Sequence, residues 1–242
     1  MKLQKLKKLI KESNNIVFFG GAGVSTESGI PDFRSAQGIH NSDSGFGYSP
    51  EEILSYSFFT KHPDIFYKFY KDKIIHRDAK PNPAHQTLAK LEQQGKLKAV
   101  ITQNVDALHQ KAGSKNVLEL HGSIYRNHCL KCDKYHSLDY IIKARATPEC
   151  QSCQGIIKPD VTLYEESLNM DIIEKAITYI SKADMLIVGG TSLTVYPAAH
   201  LIEYYQGNKL VVINKHHTQY DWKAFLCINK GIGDVFKKVL DS

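Results

Sequence analysis

The stretch Ile16-Val-Phe-Phe-Gly-Gly-Ala-Gly-Val-Ser-Thr26 carries the first signal of the fold. Its first four residues form a short apolar run, typical of a buried strand, and glycines follow it directly. Glycines let the backbone N–H groups of a loop come close to a phosphate. Gly21 and Gly23 match two glycines of the dinucleotide-binding fingerprint, and Thr26 stands where the third would be. Taken alone this loop is a weak signal, because many glycine loops are only tight turns.

The same order of elements continues along the chain. Short apolar segments predict strands at 97–102, 117–120, 185–188 and 209–213. Segments with helical character lie between them, at about 2–13, 50–75, 83–94, 168–181 and 197–205. Strands that alternate with helices are typical of an α/β protein with a parallel sheet. Polar residues follow most of these strands, at the edge where open parallel sheets bind ligands.

Composition narrows the class of protein. The chain has 242 residues, of which 42% are apolar and 23% charged. These are ordinary globular values, which exclude a disordered or collagen-like chain. The apolar runs are too short for a membrane-spanning helix, which needs about 20 residues. The first ten residues have helical spacing broken by lysines and no signal-peptide core, so we expect a cytoplasmic protein with reduced thiols.

Four of the five cysteines form two close pairs, Cys129-x-x-Cys132 and Cys150-x-x-Cys153, with 17 residues between the pairs. This spacing predicts four thiolates around one tetrahedral Zn²⁺. Four protein ligands leave no position open for water or substrate, so we expect the zinc to be structural. A reducing compartment argues against disulfides between these residues. The segment interrupts the alternation of helices and strands, which indicates an insertion.

The longer run Gly21-Ala-Gly-Val-Ser-Thr-Glu-Ser-Gly-Ile-Pro-Asp-Phe-Arg-Ser35 is far more specific than its glycines. It resembles the signature of the sirtuins, the NAD-dependent protein lysine deacylases. The segments 102–109 (TQNVDALH), 118–123 (LELHGS) and 190–192 (GTS) resemble the family as well, as does the four-cysteine segment. These blocks follow the order of the family and extend from about residue 16 to Asn214.

The resemblance implies a fold and a division of the chain. We expect an α/β fold with a Rossmann-like parallel sheet domain and a smaller inserted domain, which combines a zinc ribbon with a helical module. The NAD-binding domain would be discontinuous, at residues 1–37, 76–123 and 157–242. Residues 38–75 would form the helical module with a flexible cofactor loop, and residues 124–156 the zinc-binding module.

The resemblance also assigns two catalytic residues. His121 matches the family's catalytic histidine and would take a proton from a ribose hydroxyl of NAD. Histidine suits this task because its usual pKa lies near 7. Asn104 would bind the same ribose or the attacking water. The chain has eleven histidines, and one without such a context would be read as a surface or capping residue.

The contacts to NAD that the resemblance implies are spread over several loops. The pyrophosphate would lie against the glycine loop, the nicotinamide and its ribose against the residues after strand 97–102, and the adenosine against the residues after the last two predicted strands. The assigned residues are Ala22, Gly23, Thr26, Phe33, Arg34, Gln103, Val105, Asp106, Thr191, Ser192, Asn214 and Ile232. Phe33 would shield the reacting face from water, Arg34 would pair with the pyrophosphate, and Asp106 would accept from the nicotinamide carboxamide.

The substrate would be an acetylated lysine of a protein. The family usually has Gly-Glu where this chain has Glu165-Glu166, in a segment that pairs with the substrate backbone. Sirtuins that remove acidic acyl groups carry a Tyr-x-x-Arg pair, and here Tyr67 is followed by Tyr70 where that arginine would be. An acidic acyl group would lose its hydration without gaining a cation. We therefore expect neutral acyl groups, acetyl first.

Three functions remain open at this point. The first is a deacetylase that transfers the acetyl group to ADP-ribose and releases nicotinamide and O-acetyl-ADP-ribose. The second is an NAD-dependent protein mono-ADP-ribosyltransferase, which would use the same ribose chemistry. The third is a zinc-ribbon nucleic-acid-binding protein, suggested by the net charge of +6. The cysteine segment lacks a dense basic stripe with stacking aromatics, so we do not expect nucleic acid or a membrane as a partner.

Overall fold

The computed structural model describes residues 1–33, 35, 38–41 and 44–240. Within this part of the chain the strands are β1 (Ile16–Gly20), β2 (Leu97–Thr102), β3 (Val117–Glu119), β4 (Gly122–Cys129), β5 (Tyr135–Ser137), β6 (Ile157–Val161), β7 (Met185–Gly189), β8 (Leu210–Ile213) and β9 (Leu226–Ile228). The α-helices are α1 (Lys2–Glu12), α2 (Pro50–Ile53), α3 (Tyr56–Lys61), α4 (Pro63–Phe69), α5 (Pro83–Gln93), α6 (Leu108–Lys111), α7 (Leu138–Lys143), α8 (Met170–Lys182) and α9 (Ile232–Leu240).

Six parallel strands form the main sheet, in the order β3-β2-β1-β7-β8-β9. All five residues of β1 and all five of β7 are buried. Such continuous apolar strands fit a parallel sheet that is covered on both faces. From β1 the chain adds β2 and β3 on one side, and later it adds β7, β8 and β9 on the other. The direction of winding therefore reverses between β1 and β7, which is where open α/β sheets bind their ligands.

Two hydrophobic cores cover the faces of this sheet. On one face α1, α5 and α9 pack over side chains that include Phe18. On the other face α8 and the 3₁₀ turn Ala198–Tyr204 pack over side chains that include Phe19. Adjacent residues of β1 point to opposite faces because side chains alternate along a strand. The predicted strands of the main sheet and the predicted helices α1, α5 and α8 are confirmed, whereas the helix predicted at 197–205 is this 3₁₀ turn.

A second, antiparallel sheet contains β5, β4 and β6 in that order. It shares a third core with α2, α3, α4 and α7, in which Phe59, Phe66 and Ile157 are fully buried. Arg126 on β4 links the two sheets: its guanidinium contacts the carboxylate of Glu119 on β3 and that of Asp160 on β6, each at 2.7 Å. The small sheet and the helical segment are thus packed together as one unit beside the main sheet.

The exact domain boundaries given by the sequence stay a proposal. The predicted division places β6 in the NAD-binding domain, whereas in the structure β6 pairs with β4 of the small sheet. No helix among the described residues is long and apolar enough to cross a membrane.

Candidate active site

The glycine loop after β1 lies against the loop after β7. The N–H of Gly21 donates to the carbonyl of Gly189 at 3.3 Å, and the N–H of Gly23 donates to that of Gly190 at 2.8 Å. A Cβ atom on Gly23 would lie 2.8 Å from both the Cα and the carbonyl oxygen of Gly190, closer than real contacts allow. Glycine is therefore required at position 23 for the two loops to meet at the switch point of the sheet.

Ser25 lies at the centre of a buried polar cluster that joins the glycine loop to the segment after β2. Its hydroxyl donates to Oδ2 of Asp106 at 2.6 Å and accepts from Nδ2 of Asn104 at 3.0 Å. Ser25 is fully buried, and Asn104 is 8% exposed. The polar residues that follow β2 are thus brought against the glycine loop, as expected from the rule that strand ends meet at one edge.

Asp106 is held on both of its carboxylate oxygens. Oδ1 accepts from the backbone N–H of Leu108 at 2.8 Å, and Oδ2 accepts from the Ser25 hydroxyl. Burial raises the pKa of Asp106, and these two hydrogen bonds act in the opposite direction. Both bonded protons come from neighbouring groups, so the carboxylate presents acceptors to a ligand. An amide N–H₂ is a suitable donor for it.

His121 follows β3 and faces the residues after β2. Its Nδ1 lies 2.9 Å from the backbone carbonyl oxygen of Gln103. A carbonyl oxygen only accepts, so Nδ1 carries the proton, and Nε2 is the basic nitrogen of the neutral ring. Burial lowers the pKa of His121, and the hydrogen bond to Gln103 acts in the opposite direction. The ring is therefore neutral at physiological pH and ready to accept a proton at Nε2.

The loop after β7 adds hydroxyl groups to this edge. The Thr191 hydroxyl accepts from the backbone N–H of Leu193 at 3.2 Å, and it lies 3.5 Å from Nε2 of Gln103. The Ser192 hydroxyl lies 2.7 Å from that of Thr194. Gln103, Thr191 and Ser192 therefore lie at the same edge, as the sequence predicted. Their contacts with NAD stay predictions.

The remaining predicted contacts in the glycine loop are placed as follows. Ala22 begins a 3₁₀ turn that extends to Val24, and the Thr26 hydroxyl donates to the carbonyl of Gly23 at 3.1 Å. The ring of Phe33 meets the ring of His40 edge-on, with centroids 5.4 Å apart. Arg34 lies outside the described residues.

The structure places the three remaining assigned residues as follows. Val105 packs against the third core, and its carbonyl accepts from the N–H of Ile124 at 3.1 Å. Asn214 follows β8, and its side chain donates to the carbonyl of His216 at 3.0 Å. Ile232 begins α9, and its side chain is buried in the first core at 2% exposure. Its contact with the adenine stays a prediction.

Tyr67 and Tyr70, from which the preference for neutral acyl groups was predicted, lie in the hydrophobic core of the small unit. Tyr67 is 2% exposed and Tyr70 is fully buried. The Tyr67 hydroxyl donates to the carbonyl of Ile157. The ammonium of the neighbouring Lys71 donates to the carbonyl of Ala144 at 2.6 Å. These contacts hold this helix to the zinc-binding segment.

Glu165 has a backbone conformation that usually selects glycine. Its φ is +75°, in the left-handed region. Its carboxylate accepts from both the backbone N–H and the hydroxyl of Ser57, each at 2.9 Å. Next to it Tyr164 pairs with residues 54 and 56 through backbone hydrogen bonds of 3.0 Å. The departure from the family's glycine thus fastens this segment to α3.

The four paired cysteines converge on one point. Their sulfur atoms all lie within 4.8 Å of one another, with the shortest separations at 3.3 and 3.7 Å. A tetrahedral zinc with Zn–S bonds near 2.3 Å requires S···S distances of about 3.8 Å. A disulfide requires about 2.05 Å, so these cysteines are free thiols. The donor set and its geometry fit a structural zinc ion held by Cys129, Cys132, Cys150 and Cys153.

Some residues that shape the site were not selected from the sequence. Ser25 and Glu27 lie inside the glycine-loop motif, and Asn82 and His85 lie more than 50 residues further along the chain. The Glu27 carboxylate accepts from the N–H of Gly233 at 3.0 Å and so fastens the loop to the first turn of α9. The Asn-Pro-x-His pattern at 82–85 indicates a helix start, but it gives no hint of the contact with Ser25.

Comparison with known proteins gives consistent matches. A family model described as the Sir2 family matches residues 21–197. A protein of Clostridium tetani, named NAD-dependent protein deacetylase, is 59% identical over 239 residues, which cover 98% of this chain and 97% of that relative. A Sir2 variant solved with a deacetylated p53 peptide and 3′-O-acetyl ADP ribose is 40% identical with a TM-score of 0.91, over 100% of this chain and 98% of that one. A structure described as Sir2, p53 peptide and NAD⁺ is also 40% identical, with a TM-score of 0.88 and the same coverage.

Proposed function

This chain belongs to the Sir2 family, the sirtuins, and on that premise we propose that it is an NAD-dependent protein lysine deacetylase. It would transfer the acetyl group of an acetylated lysine to ADP-ribose and release nicotinamide and O-acetyl-ADP-ribose. Its substrates would be acetylated proteins. The relatives named NAD-dependent protein deacetylase match nearly the whole chain, which supports this reaction.

The observation that carries the proposal is the buried cluster of Ser25, Asn104 and Asp106, together with the hydrogen bond that holds His121 to the residue before Asn104. Asn104 and Asp106 both bond to the Ser25 hydroxyl, and His121 bonds to the carbonyl of Gln103, the residue before Asn104. An amide and an acceptor carboxylate thus contact the glycine loop, and a base contacts the start of the segment that carries them. This combination suits a ligand with hydroxyl groups and a carboxamide, which NAD has.

The pocket offers groups that fit NAD. Gly21 and Gly23 let the loop after β1 approach its surroundings closely, and Asp106 offers carboxylate oxygens to an amide. When bound, NAD supplies the ribose carbon that receives the acyl oxygen as nicotinamide leaves. His121 would accept a ribose hydroxyl proton at Nε2, since Nδ1 is held by Gln103. Asn104 would position the ribose or the attacking water, and Phe33 would keep bulk water away from the reacting face.

Neutral acyl groups fit this chain best. In the segment that would carry an arginine for acidic acyl groups, the hydroxyl of Tyr67 is engaged by Ile157 and Tyr70 is buried. Lys71 follows them, but its ammonium is bound to a backbone carbonyl. An acyl carboxylate would therefore lose water without gaining a cation. We infer a preference for acetyl over succinyl groups.

The zinc site bears on the cellular compartment of the protein as well as on its fold. Four thiolate ligands require reduced cysteines, and reducing conditions are those of the cytoplasm. We therefore propose a cytoplasmic protein in which zinc holds the small unit together. Its closed donor set leaves no position for water or substrate, so the zinc would take no part in the chemistry.

The test is mass spectrometry of an acetyl-lysine peptide incubated with the zinc-loaded protein, with and without NAD. We expect loss of the acetyl mass only with NAD, together with equal amounts of nicotinamide and O-acetyl-ADP-ribose. Gain of an ADP-ribose mass on a protein would support the transferase instead. If neither NAD nor peptide changes, the proposal is wrong. A succinyl-lysine peptide in the same assay tests the acyl preference.

A further inference from the structure

The first helix and the segment around β9 form one surface at the end of the main sheet. β9 is the last strand in the order of that sheet, and α1 packs against it. The ammonium of Lys5 on α1 lies 3.9 Å from the centre of the Phe225 ring, just before β9. We call α1 and residues 222–230 together the basic face. It contains no residue of the candidate active site.

The basic face carries the whole net charge of the protein. α1 has five lysines and one glutamate, and residues 222–230 have two lysines and no acidic residue. The two segments thus have a net charge of +6, equal to the +6 of the full chain, and all other residues balance. Lys2, Lys5, Lys223 and Lys230 form no salt bridge within the described part of the chain. Their charge is therefore open to an anionic partner.

Two exposed aromatic side chains lie among these lysines. Trp222 is 79% exposed, the highest fraction of any Trp, Tyr or Phe in the described residues, and Phe225 is 50% exposed. The ammonium of Lys223 lies 5.1 Å from the centre of the Trp222 ring. Large apolar side chains left in water mark contact sites, and tryptophan is among the residues that contribute most to affinity in protein interfaces.

An apolar groove of about 300 Å³ opens between the first turns of α1 and the start of β9. Phe225, Leu226 and Cys227 line one side of it, and Lys2 and Lys5 line the other. None of the described residues that line it is acidic. The groove can therefore take an apolar side chain while the lysines at its rim take carboxylates.

These features favour an acidic protein segment over other anions. A membrane is bound by apolar side chains that insert below the headgroups, but the apolar side chains of α1, including Leu6, Leu9 and Ile10, are buried in the first core. Single-stranded nucleic acid stacks its bases on aromatic rings, but a lysine ammonium lies over the rings of both Trp222 and Phe225. An acidic segment with an apolar residue uses both the lysines and the groove.

We propose that the basic face is a docking site for an acidic segment of a partner protein. Carboxylates of that segment pair with Lys2, Lys5 and Lys223, and one of its apolar side chains enters the groove beside Phe225. Trp222 contacts the bound segment next to the groove. This site is additional to the candidate active site, and it does not rest on the proposed function.

The fluorescence of Trp222 reports binding directly, because it is the only tryptophan of the chain. The probe is a synthetic twelve-residue peptide of repeated glutamate, glutamate and leucine, added to the zinc-loaded protein at about 50 mM salt. We expect the emission to shift to shorter wavelength and the anisotropy of labelled peptide to rise to saturation. A peptide of glutamate alone should bind at least about fivefold more weakly, because it leaves the groove empty. Raising the salt to about 300 mM should weaken both, since salt screens exposed charges.

Two substitutions in the basic face are compared with two matched controls. Lys5→Glu and Trp222→Ala should each weaken binding of the labelled peptide at least about fivefold, through repulsion and through loss of an aromatic contact. Both side chains are exposed, so we expect both variants to fold, which circular dichroism checks. Lys175→Glu and Tyr204→Ala change exposed residues of elements on the other face of the main sheet. They should leave the affinity within about twofold.

The proposal is overturned if the peptide does not bind, or if the control variants lose as much affinity as Lys5→Glu and Trp222→Ala. Tighter binding of a 20-nucleotide thymidylate strand or of phosphatidylglycerol vesicles would assign the surface to another class of partner and overturn it as well. An emission shift that appears on concentrating the protein alone would identify a second copy as the occupant, with the same consequence. None of these measurements uses NAD, so failure of the proposed function would not affect them.

Discussion

Replacing His85 by glutamine should remove a defined part of the protein's sensitivity to acid. His85 is fully buried on α5, and burial lowers its pKa from 6.5 to about 4. In the unfolded chain the ring is in water and takes up a proton near its usual pKa. Between these two values the unfolded state binds a proton at this position that the native state does not.

The sign follows from proton linkage. A state that binds more protons gains as the pH falls, so acid favours the unfolded chain here. The contribution of His85 to stability is intact above pH 6.5 and is lost as the pH falls toward about 4. Each pH unit in this window lowers the free energy of unfolding by ~1.4 kcal/mol. Burial lowers the pKa of His109 as well, so that residue acts in the same direction.

The assay is urea unfolding of the zinc-loaded protein, followed by far-UV circular dichroism at pH 7.5, 6.5 and 5.5. The free energy of unfolding of wild type minus that of His85→Gln should fall by ~1.3 kcal/mol between pH 7.5 and 5.5. Taking the difference cancels the titrating groups that lie away from position 85, including the cysteines, and burial keeps the pKa of the neighbouring His109 lowered in both proteins. His216→Gln is the control, because His216 is exposed and its loss should leave the difference flat.

A flat difference for His85→Gln would refute the reasoning. It would mean that the native protein accommodates a protonated His85, although Nδ1 of this ring lies 3.2 Å from the backbone N–H of Asn82, which can only donate. A slope shared by His85→Gln and His216→Gln would show that the measurement reports a general charge effect.

Three further predictions concern other parts of the molecule. His121→Ala should lower kcat of deacetylation at least ~100-fold, the usual scale for a lost general base, with NAD affinity within about threefold by calorimetry; equal loss of affinity would make the residue structural. Cys129→Ala should release zinc and lower the melting temperature, checked by metal analysis and circular dichroism, and an unchanged melting curve would contradict a structural metal. Glu165→Gly should be more stable to urea than Glu165→Ala by ~1 kcal/mol, since both lose the bonds to Ser57 but only alanine stays strained at φ +75°; equal stability would argue against that strain.

Part of this fold follows directly from local sequence patterns. The continuous apolar runs predicted β1, β7 and β8, because strands covered on both faces need apolar side chains at every position. β2 was predicted from a run that is apolar except at Lys98, which is exposed, and at Thr102. The helical spacing of Leu6, Leu9 and Ile10 predicted the buried face of α1. The two Cys-x-x-Cys pairs predicted a four-sulfur cluster, since each tight turn already brings two thiols together. Each of these signals lies within a few residues of the chain.

The small sheet was much harder to find. β4, β5 and β6 mix buried and exposed residues, and β5 has only three residues. β9 is also only three residues long and does not stand out as a strand in the sequence. The pairing of β4 with β6 joins residues more than 20 positions apart, such as Cys129 and Ile157, and periodicity does not reveal such a partner. The domain boundaries and the individual NAD contacts stay predictions.

The sequence by itself determined the fold class, the zinc ligands and, through the motif blocks, the family. The tertiary structure alone decided which groups stabilise one another in the pocket. Ser25 meets His85 and Asp106, which lie 60 and 81 positions away. Glu165 has a left-handed backbone, and its carboxylate accepts from the N–H of Ser57, a partner that only the folded chain brings close. Hydrogen bonds act over about 3 Å of space, and only the folded chain brings residues so distant in sequence within that range.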